Sequence, residues 1–411
     1  MKKILYYSDC PFFAGCENML VNFFGSDRLA SEFDLVFLYR YSKRYVEGAR
    51  KRMDLSRSIP VHLVTEPAKE AIVRSKVPLF AALQKGLWFF AVFIIKYYSI
   101  IVNRKRLISI FRRERPDIIH INNGGYPAAT SCYSAILAAK KCGITNIVYM
   151  VNNMALGYDY PLRWFDRGLD SIVIKQVRFF INGSNNAGNR LKHVLRISDS
   201  QQITIRNGII PRKVTLTREE FRKQYGINRD AFVFAEVANL EERKGHRVLL
   251  KAAQEYKVKN PDKDFIVLIE GSGPLKNEIC SYISSNNMAD YVRMIEVEQI
   301  YNLYNSIDVL ILPSLHTEDF PNTIIEAMGM SIPVIGTSIA GIPEQIDDHQ
   351  SGLLVAPGDS YALYKAMTEL STDINLYKKC KCQAKKKFDE SYTAEISVEN
   401  YIKLYRLMLN E

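Results

Sequence analysis

Short apolar runs recur along the chain, and helical segments stand between them. In the first half the runs are Lys3–Tyr7, Phe33–Tyr39, Pro60–Val64, Asp117–Ile121, Ile147–Val151, Phe179–Ile181 and Ile203–Ile205. Near-continuous apolarity over so few residues predicts strands buried on both faces of a parallel sheet. Helices are predicted over about Glu17–Leu29 and Pro127–Lys141, and from Asn185 to Leu195. A polar segment, Pro211–Arg218, reads as a link. A second series follows, with strands at Phe232–Val237, Phe265–Ile269, Val292–Ile295, Ile307–Leu312 and Val334–Gly336. Helices are predicted over Lys244–Tyr256 and Thr323–Met328 and from Phe388 onward. Strands alternating with helices predict doubly wound parallel sheets, in which ligands sit at the carboxyl ends of strands. The divisions expected are 1–209, 210–387 and a terminal helix over 388–411.

Pro78–Val102 breaks the pattern. Gly86–Ile95 carries no charge, and Lys96 ends the run, which is too short to span a bilayer. Two readings stand and are compatible on different faces. One is a helix packed on the first sheet. The other is an interfacial helix, with Trp88, Phe89, Phe93 and Tyr97 entering a membrane surface while Lys85, Lys96 and Arg104–Arg106 meet anionic headgroups.

The composition fits an ordered protein of two ordinary domains: 411 residues, 47% hydrophobic and 24% charged. The net charge of +11 is concentrated in Arg40–Arg57, with seven basic and two acidic residues, and in Arg104–Arg115, with six and one. No nucleic-acid reader motif accompanies it, so nucleic acid is not expected as a partner. The seven cysteines are scattered without a CxxC pair, which suggests reduced thiols in the cytoplasm and no zinc site. The apolar run at the N-terminus is too short for a signal peptide and reads as a strand.

The most informative stretch is Ser306–Gly329, SIDVLILPSLHTEDFPNTIIEAMG. It reads as a buried strand, a loop, and a helix opened by Pro321, where proline's missing N–H costs nothing. A helix N-terminus is a natural phosphate site. Glu318 before it and Glu326 within it stand where two carboxylates could grip hydroxyls on either side of a diphosphate. A nucleotide-sugar has that layout.

These residues resemble the signature of the retaining glycosyltransferases of the GT-B fold, the bacterial group 1 family, in which a strand ending in P-S precedes E-G-F-P and a helix carrying E-A. Here the matching residues are Pro313-Ser314, Glu318-Asp319-Phe320-Pro321 and Glu326-Ala327, and only Asp319 departs. Gly341–Pro357 is similar to the family as well. The resemblance implies an α/β protein of two Rossmann-like doubly wound domains facing a cleft, with the last helix crossing back to the first domain. It implies that Glu318 contacts the transferred sugar and Glu326 the ribose, and that backbone N–H groups near Asn322 and Thr323, beside Phe320 and Pro321, hold phosphate. The family's G-R-L-x-x-x-K-G pattern stabilises the leaving diphosphate without a metal. Here Lys244 is in place, Asn239 stands at the arginine position, and Arg243 is a possible substitute. Gly15 matches one glycine of the family's Gly-Gly loop, and Ala14 replaces the other. In the first domain the family often has a histidine near the sugar. His120 begins that pattern and is either that residue or a core-facing one. Asn122, and Asn152 or Asn153, take the other positions and are acceptor-side candidates.

The expectation is therefore a retaining, metal-independent glycosyltransferase. A UDP-sugar is favoured as donor, and the acceptor is a growing, lipid-linked surface glycan of capsule, O-antigen or exopolysaccharide type, met at the cytoplasmic face of the inner membrane. No cofactor is expected. The substitutions at Asn239, Asn122 and Asn152 motivate an alternative, a nucleotide-sugar-binding partner of another transferase without activity of its own. No metal cluster is expected from the spacing of His, Cys and Asp.

Overall fold

The computed structural model describes residues 1–13, 15–65, 78–127, 129–159 and 161–410. Ala14 and the side chains of Lys85 and Phe89 lie outside the described residues. The chain forms two compact units. One comprises residues 1–182, 188–205 and 398–411, the other 183–187 and 206–397.

The first unit holds β1 (Lys2–Ser8), β2 (Phe33–Arg40), β3 (Ser58–Val61), β4 (Ile118–Asn123), β5 (Ile147–Val151), β6 (Phe179–Asn182) and β7 (Gln202–Thr204). Their order is β3-β2-β1-β4-β5-β6-β7, and every pairing is parallel. Ile4 to Tyr7 have no exposed surface, because helices cover both faces of the sheet. One face is covered in part by the terminal helix Ala394–Leu409, whose Tyr401, Ile402 and Tyr405 pack beside Tyr6 and Phe23.

The second unit holds β8 (Phe232–Val237), β9 (Phe265–Glu270), β10 (Val292–Ile295), β11 (Val309–Leu312), β12 (Val334–Thr337) and β13 (Gly352–Val355), ordered β10-β9-β8-β11-β12-β13 and again parallel. The strand expected from Ile307 starts at Val309. Asp308, just before it, accepts hydrogen bonds from the Val233 amide at 2.9 Å, Arg218 at 2.7 Å and Arg222 at 3.1 Å. This satisfies the one carboxylate in an apolar run.

Three helices differ from the sequence reading. The helix expected over 17–29 breaks after Phe24. Gly25 ends it, and Ser26 caps a new turn, Asp27–Ala30, by accepting from the Leu29 amide. The terminal helix begins at Ala394 rather than Phe388, which belongs to the preceding helix Ile374–Ser391. The Thr393 hydroxyl accepts from the Ile396 amide at the new start. The apolar helix runs from Pro78 to Glu114, well past Val102. Ile100, Leu107 and Phe111 bury one face of it against the sheet, and Asn103 is held there by two 2.9 Å bonds to the Val64 backbone. The helix ends where Arg115 turns to φ 48° ahead of Pro116.

The opposite face of that helix is open. Phe90, Ile94, Tyr98 and Ile101, at helical spacing, are exposed, as are Trp164 and Phe165. Phe165 meets the ring of Phe93 at 5.3 Å, and Arg167 lies 4.7 Å over Trp164 and 5.0 Å over Tyr158. Among the described residues, no helix is long and apolar enough to cross a membrane.

Candidate functional site

The segment after β8 and the loop after β11 carry the site of the second unit. Gly245, at φ 79°, turns the chain into the helix His246–Lys259, and a Cβ there would lie 2.0 Å from the Pro313 carbonyl oxygen. Only glycine fits both the dihedral and the space. This close approach sets the end of β11 against Arg243 and Lys244, and the Leu315 amide bonds the Arg243 carbonyl at 2.7 Å.

Three side chains converge on one oxygen. Glu318 Oε1 accepts from Arg243 Nη1 at 3.0 Å, from Ser314 Oγ at 3.0 Å, and from Lys244 Nζ. Lys244 and Glu318 are 9% and 6% exposed, so both charges are largely out of water and depend on one another. Thr317, directly before Glu318, has φ 63°. A β-branched residue in that region is strained, and such strain is characteristic of functional loops. The result is two cations held beside one carboxylate at a strand end, an arrangement that can trade the carboxylate for the phosphates of an incoming ligand.

Behind it lies a pair that sequence reading missed. His246 Nδ1 is 2.9 Å from Glu236 Oε2, and Nε2 is 3.1 Å from the Asn239 carbonyl. Burial raises the Glu236 pKa. For His246 burial acts downward, but the hydrogen bond and charge of Glu236 outweigh it and the pKa is raised. The pair ties the segment after β8 to the strand beneath it. The signal was an acid inside an apolar strand, ten residues before a histidine.

The helix expected over 323–328 spans Asn322–Gly329, with Pro321 at the N-cap and no side-chain cap. Asn322 Oδ1 accepts from Asn207 at 3.1 Å. Thr323 is partly exposed in the first turn. Glu326 accepts from the Tyr304 hydroxyl at 2.9 Å. Phe320 is buried against Tyr392, with ring centroids 5.5 Å apart, so it anchors the loop. Asp319, where the family motif has a small residue, accepts from the Gly183 amide at 3.2 Å and Ser184 Oγ at 2.6 Å. Burial raises its pKa to about 7. Asn239 is exposed, and the structure pairs Arg243 with Glu318 instead.

In the first unit the candidates are placed differently. His120 has no exposed surface. Its Nδ1 lies 2.6 Å from Tyr405 Oη, and burial lowers its pKa to about 3, so the ring is neutral and core-facing. Asn122 is also buried and donates to Glu17 Oε2 at 2.8 Å and to the Cys16 carbonyl at 3.1 Å. Asn152 donates to Asn122 Oδ1 at 2.9 Å, and Asn153 accepts from the Met154 amide at 2.7 Å. Gly15 opens a short 3-10 turn, Gly15–Glu17, and a Cβ there would meet nothing within 4 Å. A cavity of about 410 Å³ lies at the carboxyl ends of β1, β2 and β4, lined by Asp9, Cys10, Arg40, Asn123 and Ser131 among others. Asp9 pairs with Arg40 at 3.1 Å and accepts from Ser131. The spacing of His, Cys and Asp does not single out Cys10, Cys16 and Glu17, whose ligand-type atoms lie within 4.8 Å of one another. Both Glu17 oxygens already accept protein hydrogen bonds.

Residues 217–387 match the family described as glycosyl transferases group 1. The chain is similar to the capsular polysaccharide biosynthesis glycosyltransferase CapM of Staphylococcus aureus, at 23% identity over 77% of this chain and 83% of that protein. It is similar also to the N-acetyl-alpha-D-glucosaminyl L-malate synthase of Bacillus anthracis, at 23% identity over 74% of this chain and 78% of that protein. The crystal structure of Anabaena Alr3699/HepE in complex with UDP-glucose superposes with a TM-score of 0.75 at 14% identity, covering 98% of this chain and 99% of that one, and so shares the fold. Two parallel-sheet α/β units of the GT-B class, the Glu318–Glu326 segment and the family match agree: over residues 217–387 the chain is similar to the group 1 glycosyl transferases.

Proposed function

We infer that the protein transfers a sugar from a nucleotide diphosphate-sugar, a UDP-sugar by preference, to a growing surface glycan, with retention of anomeric configuration. The observation that carries the reading is the convergence of Arg243, Lys244 and Ser314 on Glu318 at the end of β11, within the residues that match the family. In this reading Arg243 and Lys244 neutralise the departing diphosphate, and Glu318, released from them, meets the transferred sugar. Glu326 takes the ribose hydroxyls, and the amides of Asn322 and Thr323 take phosphate at the helix N-terminus. A charge-assisted hydrogen bond contributes about 1.5–3 kcal/mol, against roughly 1 for a neutral one, so Arg243 makes up for the charge missing at Asn239. No divalent ion is assigned a role. UDP and UDP-glucose in structures of Alr3699/HepE support the choice of donor, and the polysaccharide role of CapM supports a glycan acceptor.

The acceptor is lipid-linked in this reading, and the protein works on the cytoplasmic face of a membrane. The exposed stripe Phe90, Ile94, Tyr98 and Ile101 supports this, together with Trp164 and Phe165 and a basic cavity bordered by Arg167, Arg190, Lys192 and Arg196. Apolar side chains next to cations suit an anionic bilayer surface.

The test is turnover. Purified protein with UDP-sugars and a membrane extract as acceptor releases nucleoside diphosphate, and does so in EDTA. Binding of nucleotide-sugars without release would favour the inactive partner instead.

A further inference from the structure

Cys10 and Cys16 lie side by side, Sγ to Sγ 3.7 Å, on the loop that follows β1. Both ends of the contact are anchored. Cys10 follows Asp9, which is fixed by Arg40 and Ser131. Cys16 gives its carbonyl to Asn122 and precedes Glu17, a fully buried carboxylate that accepts from Ser8 at 2.6 Å, Tyr45 at 3.0 Å and Asn122 at 2.8 Å. The thiols therefore face each other because the fold places them so.

We propose that Cys10 and Cys16 form a reversible redox site, which low-molecular-weight disulfides convert from a dithiol to an intramolecular disulfide. A disulfide needs the sulfurs at about 2.05 Å, so closure requires a movement of about 1.7 Å, within reach of side-chain rotation. Cys10 borders the 410 Å³ cavity and is the sulfur an oxidant reaches. Cys16, 3.7 Å away and held in place by its buried neighbour Glu17, is the sulfur positioned to resolve the mixed disulfide. In the first step the Cys10 thiolate attacks the small disulfide, forming a mixed disulfide and expelling one thiolate, which takes the proton Cys10 lost. In the second, Cys16 gives up its proton and attacks Cys10 Sγ, and the second small thiol leaves. Two protein thiols and one disulfide become one protein disulfide and two small thiols. The bond would close the loop at the cavity's edge, and a reducing thiol would reopen it.

The test uses the full chain and oxidised glutathione, with free thiols alkylated afterwards. Cys10 and Cys16 fall in one tryptic peptide, Ile4–Arg28. The expected product is that peptide unalkylated and lighter by the two thiol hydrogens, restored by reduced glutathione. Exposed Cys280 and Cys382 report that the oxidant acted, by carrying glutathione. Cys16→Ser should stop at the mixed disulfide on Cys10. If Cys10 and Cys16 are both alkylated while Cys280 and Cys382 carry glutathione, or if Cys10 pairs with Cys132, the proposal fails.

Discussion

Arg243 donates to Glu318 across the gap between the segment after β8 and the loop after β11, Nη1 to Oε1 at 3.0 Å, and Lys244 donates to the same oxygen. Without ligand, each cation has the carboxylate as counter-ion. A diphosphate entering there must take the cations from Glu318. Arg243→Ala and Lys244→Ala are each expected to weaken UDP binding about 10- to 100-fold, the range for one charge-assisted bond, while Asn239→Arg leaves it unchanged. Glu318→Gln is expected to bind UDP at least as tightly as the parent yet lose transfer activity, because it removes the carboxylate that both cations share and leaves only Glu241, 2.8 Å from Arg243 Nε, as a counter-ion. Titration calorimetry on the four variants checks this. Weaker binding by Glu318→Gln would count against the exchange.

Asp319 gives a pH signature. Its folded pKa is about 7 against an ordinary value of 3.8, with burial the cause. Between those values the folded chain holds a proton that the unfolded chain has lost. This contribution to stability is therefore present below about pH 4, falls as pH rises, and is fully lost above about 7, at up to about 1.4 kcal/mol per pH unit. Asp319→Asn removes the titration. Urea unfolding from pH 4 to 8 should show a shallower decline in the variant, and parallel curves would contradict the assignment.

Gly245 is expected to tolerate no side chain. Alanine there meets both the φ of 79° and the Pro313 oxygen 2.0 Å from its Cβ. The left-handed dihedral alone costs roughly 1–2 kcal/mol, and relieving the overlap moves Lys244. Gly245→Ala should lower the melting temperature and weaken UDP binding together. Gly143→Ala, also at positive φ but with open space around it, should show only the dihedral cost.

For the membrane, the side chains to change are those the structure exposes. Trp88 and Phe93 are partly buried, whereas Phe90, Ile94 and Trp164 are open. Replacing these three with Ser is expected to abolish sedimentation with anionic liposomes. The parent should keep residual binding at 1 M salt, where the Debye length is about 3 Å and the electrostatic part is screened. Equal recovery of parent and variant would remove the stripe from the reading.

The strands were legible because burial on both faces leaves short apolar runs. The Glu318–Glu326 segment was legible because its motif is local. What escaped was set by residues distant in sequence. Whether His120 faced ligand or core depended on Tyr405, 285 positions away, whose hydroxyl meets the ring. The Glu236–His246 pair looked like an isolated acid and a helix-start histidine until strand and helix were brought together. The exposed and buried faces of Pro78–Glu114 could not be assigned from its apolarity, since both carry large hydrophobic residues.

The terminal helix has a consequence for biosynthesis. Tyr401 and Tyr405 complete the packing around Tyr6, Phe23 and His120, yet the ribosome makes them after all six strands of the second sheet. During translation the first unit waits with part of one face of its sheet uncovered, beside Met19, Leu20 and Phe23, while the second unit can already close. Chaperones that hold exposed aromatic surface should therefore engage the nascent chain between synthesis of β1 and release of Leu409, and a chain stopped before Ala394 should remain bound to them.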